Sequence, residues 1–472
     1  MRLTVIGIGY LGLTHAACMA DLEHDVLAID TDHERVARVS AGEMPFFEPG
    51  LEELLRKGLE TGRLRFTTSY EEVAEFGEAH FLCVGTPQGP DGAADLSYLT
   101  SAADALAPHL RSGCLIAGKS TVPVGTARKL LARVHAAAPA GAEVDLAWNP
   151  EFLREGTAVQ DTLRPDRIVL GVTSDRAEAL LRQVYDQPLA DGIPALTMGL
   201  ETAELVKVSA NAFLATKISF INAVADACEA AGADVTQLVD ALALDERIGR
   251  RSMSPGLGFG GGCLPKDIRA FRATAASLGV DSMVSLLADV DAINRARRSR
   301  VVDMAREAVG GSLAGKRIAA LGVAFKPNSD DVRDSPSLDV CGRLAVEGAF
   351  VSAHDPVALE NASRLRPDLR YASSVLEAAE RADLVLHLTE WTEYRSIDPS
   401  ALGEVVDQRC VIDARCVLDV RAWESAGWTV RTVGRSTGFD HRIRQAGNPS
   451  SPRPRATSTA PGPARTREAR TS

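Results

Sequence analysis

The sequence lacks the long apolar runs and the paired cysteines that mark two large classes of protein. No apolar run approaches the roughly 18 residues that a membrane-spanning helix needs, and the short apolar stretch at the N-terminus is interrupted by glycines, unlike a secretion signal. The eight cysteines are scattered singly, with no C-x-x-C pair. This distribution argues against a disulfide scaffold and favours a reducing compartment. We therefore expect a cytoplasmic protein with no membrane partner.

An excess of positive charge is also absent. The formal net charge is −11 and the pI is about 5.4, so we expect no nucleic-acid partner, although a local basic pocket for a phosphorylated small molecule is compatible with this charge. Hydrophobic residues make up 45% and charged residues 24% of the 472 positions. These values are typical of a globular protein, and the length predicts two or three domains.

Two segments alternate short apolar runs with helical stretches. The first contains "LTVIGIG", "DVLAID", "AHFLCVG", "CLIAGKS" and "VDLAWNP", and the second contains "KRIAALGVAF", "AFVSAHDP", "ADLVLHLT" and "CVIDAR". This alternation predicts parallel strands with crossover helices. Between the two segments, apolar residues of 201–232 recur at intervals of three and four without an internal proline or glycine. That spacing predicts one long helix.

The chain is therefore predicted to be an α/β protein with two Rossmann-like, doubly wound domains joined by a long central helix and a helical dimerisation region. We assign residues 1–195 to a nucleotide-binding domain, 196–309 to the central helical domain, 310–436 to the second α/β domain and 437–472 to a tail. The tail is rich in Pro, Ser and Arg. Because it has few apolar groups to offset the entropy of ordering, we predict that it is disordered.

A glycine fingerprint follows the first predicted strand. Gly7, Gly9 and Gly12 form G-x-G-x-x-G, and the next predicted strand ends at Asp30. Such glycines allow a pyrophosphate to approach a helix N-terminus, where free N–H groups and the helix dipole favour an anion. An acid at Asp30 accepts hydrogen bonds from ribose hydroxyls and repels a 2′-phosphate. The motif therefore predicts a dinucleotide site that prefers NAD to NADP, and a structural glycine turn is the alternative.

The stretch "GLGFGGGCLPKD" surrounds Cys263 with glycines. A buried cysteine is usually a small inert side chain. Here, however, glycines let a ligand approach the main chain, and we expect nearby Lys266 to favour the thiolate, the form that attacks electrophiles. A reactive thiol beside a hydride acceptor suggests that an aldehyde is captured as a thiohemiacetal, oxidised to a thioester and hydrolysed to an acid. This chemistry needs no metal.

With these motifs in order, the chain resembles the UDP-glucose/GDP-mannose dehydrogenases. The resemblance extends from residue 1 to about 434 through "GIGYLG", "VGTP", "STVPVGT", "NPEFLREG", "ELVKVSANAF", "GFGGGCLPKD", "GVAFKPNSDDVRDSP" and "DAR". It implies oxidation of C6 of a nucleotide sugar in two steps, with two NAD consumed and a uronate formed. UDP-glucose is the substrate that the resemblance favours, giving UDP-glucuronate.

The resemblance also implies roles for individual residues. Cys263 resembles the family nucleophile, and Lys207 and Asn211, four residues apart and so on one helix face, resemble the pair that stabilises the reacting oxygen. Asp267 resembles the residue that positions water, Glu151 the acid/base carboxylate, and Thr121 a member of the proton network. Arg247 resembles an arginine supplied by a neighbouring subunit, which implies a homodimer or higher homo-oligomer.

Two sets of binding residues are implied in the same way. The predicted NAD contacts are Gly7, Gly9, Tyr10, Leu11, Gly12, Asp30, Arg35, Thr86, Thr121, Glu155, Lys266 and Arg333. The predicted contacts to the nucleotide sugar are Glu151, Phe152, Leu153, Arg154, Lys207, Asn211, Arg247, Ser254, Gly256, Gly258, Phe259, Gly260, Lys326 and Arg415. The last two are cations of the kind that bind a diphosphate.

Three alternatives stay open from the sequence. The substrate could be GDP-mannose or another nucleotide sugar, since no spacing identifies the base or the sugar. The chain could be a non-catalytic NAD-dependent binding or assembly protein, although the intact set around Cys263 argues against this. A single-step alcohol dehydrogenase would use the fold and a lysine without needing the cysteine.

Overall fold

The structure, a computed structural model, describes residues 1–139 and 143–436. The first sheet has eight strands in the order β3-β2-β1-β4-β5-β6-β7-β8. They are β1 (Arg2–Ile6), β2 (Asp25–Ile29), β3 (Leu64–Thr67), β4 (Ala79–Leu82), β5 (Leu115–Gly118), β6 (Asp145–Trp148), β7 (Ile168–Gly171) and β8 (Ala195–Met198). The predicted tail, 437–472, lies outside the described residues.

Nine α-helices and a short 3-10 helix, Ala107–His109, accompany this sheet in the described part of the chain. The α-helices are α1 (Tyr10–Asp21), α2 (His33–Ser40), α3 (Leu51–Glu60), α4 (Tyr70–Phe76), α5 (Ser97–Leu106), α6 (Thr126–Ala137), α7 (Ala158–Leu163), α8 (Asp175–Val184) and α9 (Asp186–Ala190). Alternate residues of β1 and β2 enter two separate buried clusters: Leu3 and Val5 lie in one, Ile6 and Leu27 in the other. Because both faces are apolar, helices must cover both sides of the sheet.

One strand pair departs from the predicted parallel arrangement. Strands β6 and β7 pair antiparallel, through Trp148 and Gly171. The connection between them contains only the six-residue helix α7 and no long crossover helix of the kind that usually returns a chain for parallel pairing. The loop at its start, residues 149–157, is instead part of the site described below.

Four helices form the centre of the molecule: α10 (Leu200–Ala231), α11 (Val235–Leu242), α12 (Leu264–Ser277) and α13 (Asp281–Ala308). The long helix predicted at 201–232 is thus present. By length and composition α10 could also cross a membrane, but it packs against α12 and α13 and buries the charged residues Glu204 and Lys207. It is therefore a core helix.

The second sheet has six strands, in the order β11-β10-β9-β12-β13-β14, and all its pairs are parallel. The strands are β9 (Arg317–Leu321), β10 (Phe350–His354), β11 (Arg370–Tyr371), β12 (Leu384–His387), β13 (Cys410–Asp413) and β14 (Thr429–Thr432). Its helices are α14 (Pro336–Val346), α15 (Leu359–Leu365), α16 (Val375–Ala379), α17 (Thr392–Arg395), α18 (Pro399–Gly403) and α19 (Val420–Ser425). The predicted fold class, two doubly wound α/β units with a long helix between them, is confirmed.

Candidate active site

The turn from β1 to α1 forms a cradle built mainly from backbone. Gly9 is the N-cap of α1 and provides no side-chain cap, so the N–H groups of the first turn are left for a ligand. A Cβ on Gly9 would meet no protein atom within 4 Å, whereas a Cβ on Gly12 would lie 1.7 Å from the carbonyl oxygen of Gly7. The glycines therefore keep the helix tight against the turn and leave open space at its N-terminus. This geometry fits a dinucleotide pyrophosphate.

Asp30 closes the cradle at the end of β2. Its Oδ2 accepts from the backbone N–H of Ile8 at 2.9 Å and its Oδ1 from that of Asp32 at 3.0 Å. Arg35 pairs with the same carboxylate at 3.2 Å. Asp30 is therefore fixed beside the fingerprint, where a carboxylate suits the two ribose hydroxyls of NAD.

Glu155 and Arg333 bring the first and last α/β units together. The Ser329 hydroxyl donates to Glu155 at 2.9 Å, and the Arg333 guanidinium lies 3.5 Å from the other Glu155 oxygen. Burial, followed by the negative charge of Asp331, raises the pKa of Glu155 to about 7, against the opposing effect of Arg333. This carboxyl therefore holds its proton to a higher pH than an exposed glutamate does.

The residues predicted to catalyse come from three separate segments. Lys207 on α10 pairs with Glu151, which follows β6, at 3.0 Å. One turn further along α10, the Asn211 amide donates to Asp267 on α12 at 2.6 Å. Cys263 is the N-cap of α12 and lies close enough to Glu151, Lys207 and Asp267 for their charges to act on its thiol. The structure therefore places the predicted nucleophile, lysine, amide and both carboxylates in one cluster, which we call the cysteine cluster.

Two further predicted residues lie at the edge of the cysteine cluster. Thr121 lines a small recess together with Lys266 and Asp267. The Thr86 hydroxyl donates to the carbonyl oxygen of Thr121 at 2.8 Å, which ties the loops that follow β4 and β5 together. These loops lie at the carboxyl ends of parallel strands, where doubly wound sheets bind their ligands.

The charges around Cys263 differ from the expectation. Cys263 is partly accessible to solvent, but desolvation by the protein atoms around its sulfur, followed by the negative charge of Glu151, raises the pKa of the thiol to about 12, while Lys207 opposes this shift. The expected cation, Lys266, instead pairs with Asp267 at 2.7 Å. Lys207 is thus the lysine that favours the thiolate, and the resting thiol keeps its proton at neutral pH.

The glycines before Cys263 also serve a purpose other than the one expected. A Cβ on Gly260 would lie 2.3 Å from the Asp334 carbonyl oxygen, and one on Gly262 would lie 2.5 Å from the Arg333 guanidinium carbon. The glycines therefore allow the C-terminal unit to pack directly on the loop. The glycines were predicted to let a ligand come close to the main chain, and part of that space is occupied by the C-terminal unit.

The predicted sugar-nucleotide contacts are divided between two cavities. The first, of about 630 Å³, is lined by Glu151, Phe152, Leu153, Arg154, Lys207 and Asn211. The second, of about 470 Å³, is lined by Ser254 and Arg415 together with Arg250 and Arg435. The first cavity thus contains the carboxylate predicted to act as acid/base, and both cavities are lined by several cationic side chains.

Several predicted contacts point elsewhere. Arg154 forms a fork with Asp161 at 2.5 and 2.9 Å, and Arg247, whose side chain is 89% exposed, pairs with Asp245 on the surface. The Phe259 side chain is buried among apolar residues of the central helices, so its ring is not available to a ligand. Lys326, in contrast, lies beside the site: burial lowers the pKa of its ammonium, and the charges of Glu155 and Cys263 oppose this shift.

Residues outside the predicted set hold the loops and helices of the site in place. The buried Lys119 donates to the Tyr185 hydroxyl at 3.3 Å and to the Asn149 side chain at 3.0 Å. Asn149 lies two residues before Glu151. Glu204 caps α6 by accepting from the backbone N–H groups of Gly125 and Ala127. Lys119 directly precedes "STVPVGT", and Glu204 lies one helical turn before Lys207. Their positions next to these motifs are the feature of the sequence that could have identified them as supporting residues.

Comparison with known proteins gives the family. Within residues 1–189 the chain matches the NAD binding domain of the UDP-glucose/GDP-mannose dehydrogenase family, within 201–296 its central domain, and within 319–420 its UDP binding domain. The chain belongs to this family. It is therefore an NAD-dependent dehydrogenase, and both the predicted family and the predicted cofactor, NAD, are confirmed.

Individual relatives of the family cover most of the chain. A UDP-glucose 6-dehydrogenase of Rhizobium meliloti is 41% identical over 84% of this chain and 91% of its own length. The UDP-glucose 6-dehydrogenase TuaD of Bacillus subtilis is 39% identical over 92% of this chain and 93% of its own length. The structure of a UDP-glucose dehydrogenase from Pyrobaculum islandicum superimposes with a TM-score of 0.84 at 38% identity, covering 93% of this chain and 98% of that one.

Proposed function

We propose that this dehydrogenase oxidises UDP-glucose to UDP-glucuronate, with two NAD reduced for each sugar and with Cys263 as the covalent nucleophile. The observation that supports this proposal best is the cysteine cluster: a thiol, a Lys–Glu pair and an Asn–Asp pair share one site. An alcohol dehydrogenase that stops at the aldehyde has no use for the thiol. The relatives named for UDP-glucose and the match to a UDP binding domain favour this nucleotide sugar.

NAD would be held by the cradle at Gly7–Gly12 and Asp30, and when bound it accepts the hydride in each oxidation. Thr86, Thr121 and Glu155 lie in loops that follow strands of the first sheet, and Arg333 reaches Glu155 from the C-terminal unit; all four would contact its nicotinamide half. The cradle and these loops belong to the same edge of the first sheet. The sugar C6 would therefore lie between this edge and the cysteine cluster.

The protein groups divide the proton transfers between them. Burial opposes charge on Lys207, but Glu151, Cys263 and Asp267 outweigh it and raise the pKa of the lysine. Lys207 therefore stays an ammonium that donates to the C6 oxygen, as Asn211 does through its amide. Glu151, 3.0 Å from Lys207, accepts the proton that the C6 hydroxyl loses during the first oxidation.

Cys263 then adds to the aldehyde carbon. The S–C bond forms, and the thiol proton passes to the carbonyl oxygen to give the thiohemiacetal. In the second oxidation the C6–H bond breaks and the hydroxyl proton goes to Glu151, which has by then released its first proton to water, so that a thioester remains on sulfur. Asp267 holds a water against the thioester carbon, and hydrolysis releases the uronate and restores the thiol.

We also propose that the enzyme acts in the cytoplasm as a homodimer in which Arg247 reaches the sugar-nucleotide site of the neighbouring subunit. Phe213 and Phe220 on α10 are 67% and 56% exposed, which leaves an apolar stripe suited to a second copy. Mixing Arg247→Ala with Cys263→Ala protein tests this arrangement. Hybrid dimers should regain part of the activity that both parents lack, and no gain on mixing would contradict the shared site.

The substrate is tested by a panel. Purified protein is incubated with NAD and, separately, UDP-glucose, GDP-mannose or UDP-galactose, while NADH and the sugar acid are quantified. We expect rapid turnover with UDP-glucose and two NADH per acid. Turnover with GDP-mannose alone would reject the substrate, free aldehyde as the final product would reject the second oxidation, and no turnover with any sugar would favour a binding protein.

A further inference from the structure

The loop of residues 256–259, four to seven residues before Cys263, is held by the buried amide of Asn294. Asn294 lies on α13 and is 1% exposed. Its Oδ1 accepts from the Phe259 backbone N–H at 2.8 Å, and its Nδ2 donates to the Phe259 carbonyl oxygen at 3.0 Å. One side chain therefore satisfies both backbone groups of one loop residue, as a neighbouring β-strand would.

Gly258 is shaped by this contact. Its φ is +93°, and a Cβ at this position would lie 2.4 Å from the Asn294 Oδ1 atom. A larger residue would meet both backbone strain and the amide. The contact with Asn294 is therefore sufficient to require glycine at this position.

Other side chains hold the rest of the loop. The Asn222 Oδ1 on α10 accepts from the Gly256 N–H at 2.8 Å, and the buried Arg297 donates to the Gly256 carbonyl oxygen at 3.1 Å. These hydrogen bonds therefore fix the position of the loop on the central helices. Asn294 differs from these two residues because it fixes the position nearest Cys263.

This fixed position connects the loop to the catalytic residues of α10. The Phe259 side chain packs in the same buried cluster as Ala212, which follows Asn211, and Ile268, which follows Asp267. A shift of Phe259 would therefore move Cys263, at the N-terminus of α12, relative to Lys207 and Asn211. Displacements of about 1 Å cost an enzyme on the order of 10²-fold in rate.

We propose that Asn294 is a positioning residue for Cys263 and for the sugar-binding loop. It touches no reacting atom, and it acts by fixing the backbone of Phe259. This inference rests on the proposed function for its effect on turnover. The NAD cradle lies on another element, and we expect it to be unaffected.

The test compares Asn294→Leu, which keeps the branched shape and loses both hydrogen bonds, with Asn361→Leu. Asn361 lies on α15 and donates its amide to the Asp330 backbone carbonyl at 2.9 Å, so it controls for the loss of an amide-to-backbone bond elsewhere. We expect kcat with the sugar that the wild type oxidises to fall about 100-fold in Asn294→Leu. The Kd for NADH, measured by its fluorescence, should stay within about twofold of wild type because the cradle is intact.

Two additional readings keep the test decisive. If Asn294→Leu does not fold, Asn294→Asp, which retains the acceptor for the Phe259 N–H, should show a loss of about tenfold. If the wild type oxidises none of the sugars, the proposed function fails independently of the role of Asn294. The rate at which iodoacetamide alkylates Cys263 then replaces kcat as the measured property. We expect this rate to differ by at least about fivefold between Asn294→Leu and wild type. A change below about fivefold in the property measured, or an equal loss of NADH affinity, would overturn the proposal.

Discussion

The NAD cradle and the cysteine cluster are built in opposite ways. The cradle uses the segment from Gly7 to Arg35, and its contacts are mainly to backbone. The cysteine cluster draws side chains from the end of β6, from α10 and from α12, and pairs them through charge and hydrogen bonds. A local backbone site depends on conformation, whereas an assembled site depends on the packing of distant elements and on each partner's charge.

This difference predicts how the two sites fail. Substitutions in the cysteine cluster should remove chemistry and leave NAD binding intact. Substitutions in the cradle should weaken NAD binding and leave the thiol intact. The mutations below test this separation.

The largest effect is expected from Cys263→Ala. Because no other group in the cluster offers a nucleophile for the aldehyde, the variant should form essentially no sugar acid while it still binds NADH as the wild type does. Product is measured by chromatography and NADH binding by fluorescence. Cys410→Ala, a partly exposed cysteine of the second sheet, is the matched control. Full acid formation by Cys263→Ala would refute the covalent route.

Lys207→Met should have the next largest effect. It removes the ammonium that pairs with Glu151 at 3.0 Å and that lowers the pKa of the Cys263 thiol. We expect kcat to fall by about 10²–10⁴-fold, the usual range for loss of an acid–base group, with an unchanged Kd for NADH. Lys129→Met, on the exposed face of α6, serves as control. A variant that loses NADH affinity as strongly as kcat would show that the two sites are not separate.

Two glycine variants sharpen the comparison from the cradle side. Gly12→Ala places a Cβ against the Gly7 carbonyl oxygen, so both the melting temperature and NADH affinity should fall, at a cost of about 1–3 kcal/mol. Gly9→Ala puts its methyl group into open space. Its melting temperature should match the wild type while NADH affinity falls. Equal melting temperatures for both variants would contradict the packing described for Gly12.

The smallest effect is expected from Glu155→Gln. Because burial and Asp331 raise the pKa of Glu155 from 4.5 to about 7, the folded protein keeps a proton between these pH values that the unfolded chain has released. The Glu155 contribution to the free energy of unfolding therefore decreases as pH rises through this window. We therefore compare the melting temperatures of wild type and Glu155→Gln. The difference between them, wild type minus variant, should be about 2 °C smaller at pH 7.5 than at pH 5.

The control for this prediction is Glu71→Gln, an exposed carboxylate on α4. Its difference from wild type should not follow the same curve. A wild-type advantage over Glu155→Gln that grows with pH would mean that the carboxyl is stabilised in its ionised form. That result would contradict the described environment of Glu155.

The extent to which the sequence predicts the fold differs between the centre and the edges of the sheets. The central strands β1, β4, β5, β9 and β12 are recognisable because they are continuous apolar runs. The edge strands β3, β8, β11 and β14 are not among the predicted strands, and neither is β7, although its buried run IVLG is as long as β4 and β5. The four edge strands are partly exposed, and β11 has only two residues, so none of the four carries a continuous apolar run.

The candidate site shows a similar limit. The fingerprint could be predicted in detail because its residues are neighbours in sequence. The pairing of Lys266 with Asp267, the burial of Phe259 and the support from Lys119 could not, since each depends on which distant element lies next to it. A motif identifies which residues are present, and the packing of helices determines which of them meet.

The central claim is that sulfur carries the sugar between the two oxidations. It is tested most directly by acid-quenching turnover of Asp267→Asn, in which hydrolysis should be slowed, and measuring the mass of the tryptic peptide 252–266, in which Cys263 is the single cysteine. We predict an added mass equal to the uronyl thioester, which hydroxylamine removes. Unmodified peptide throughout turnover, with the sugar acid still accumulating, would contradict the account.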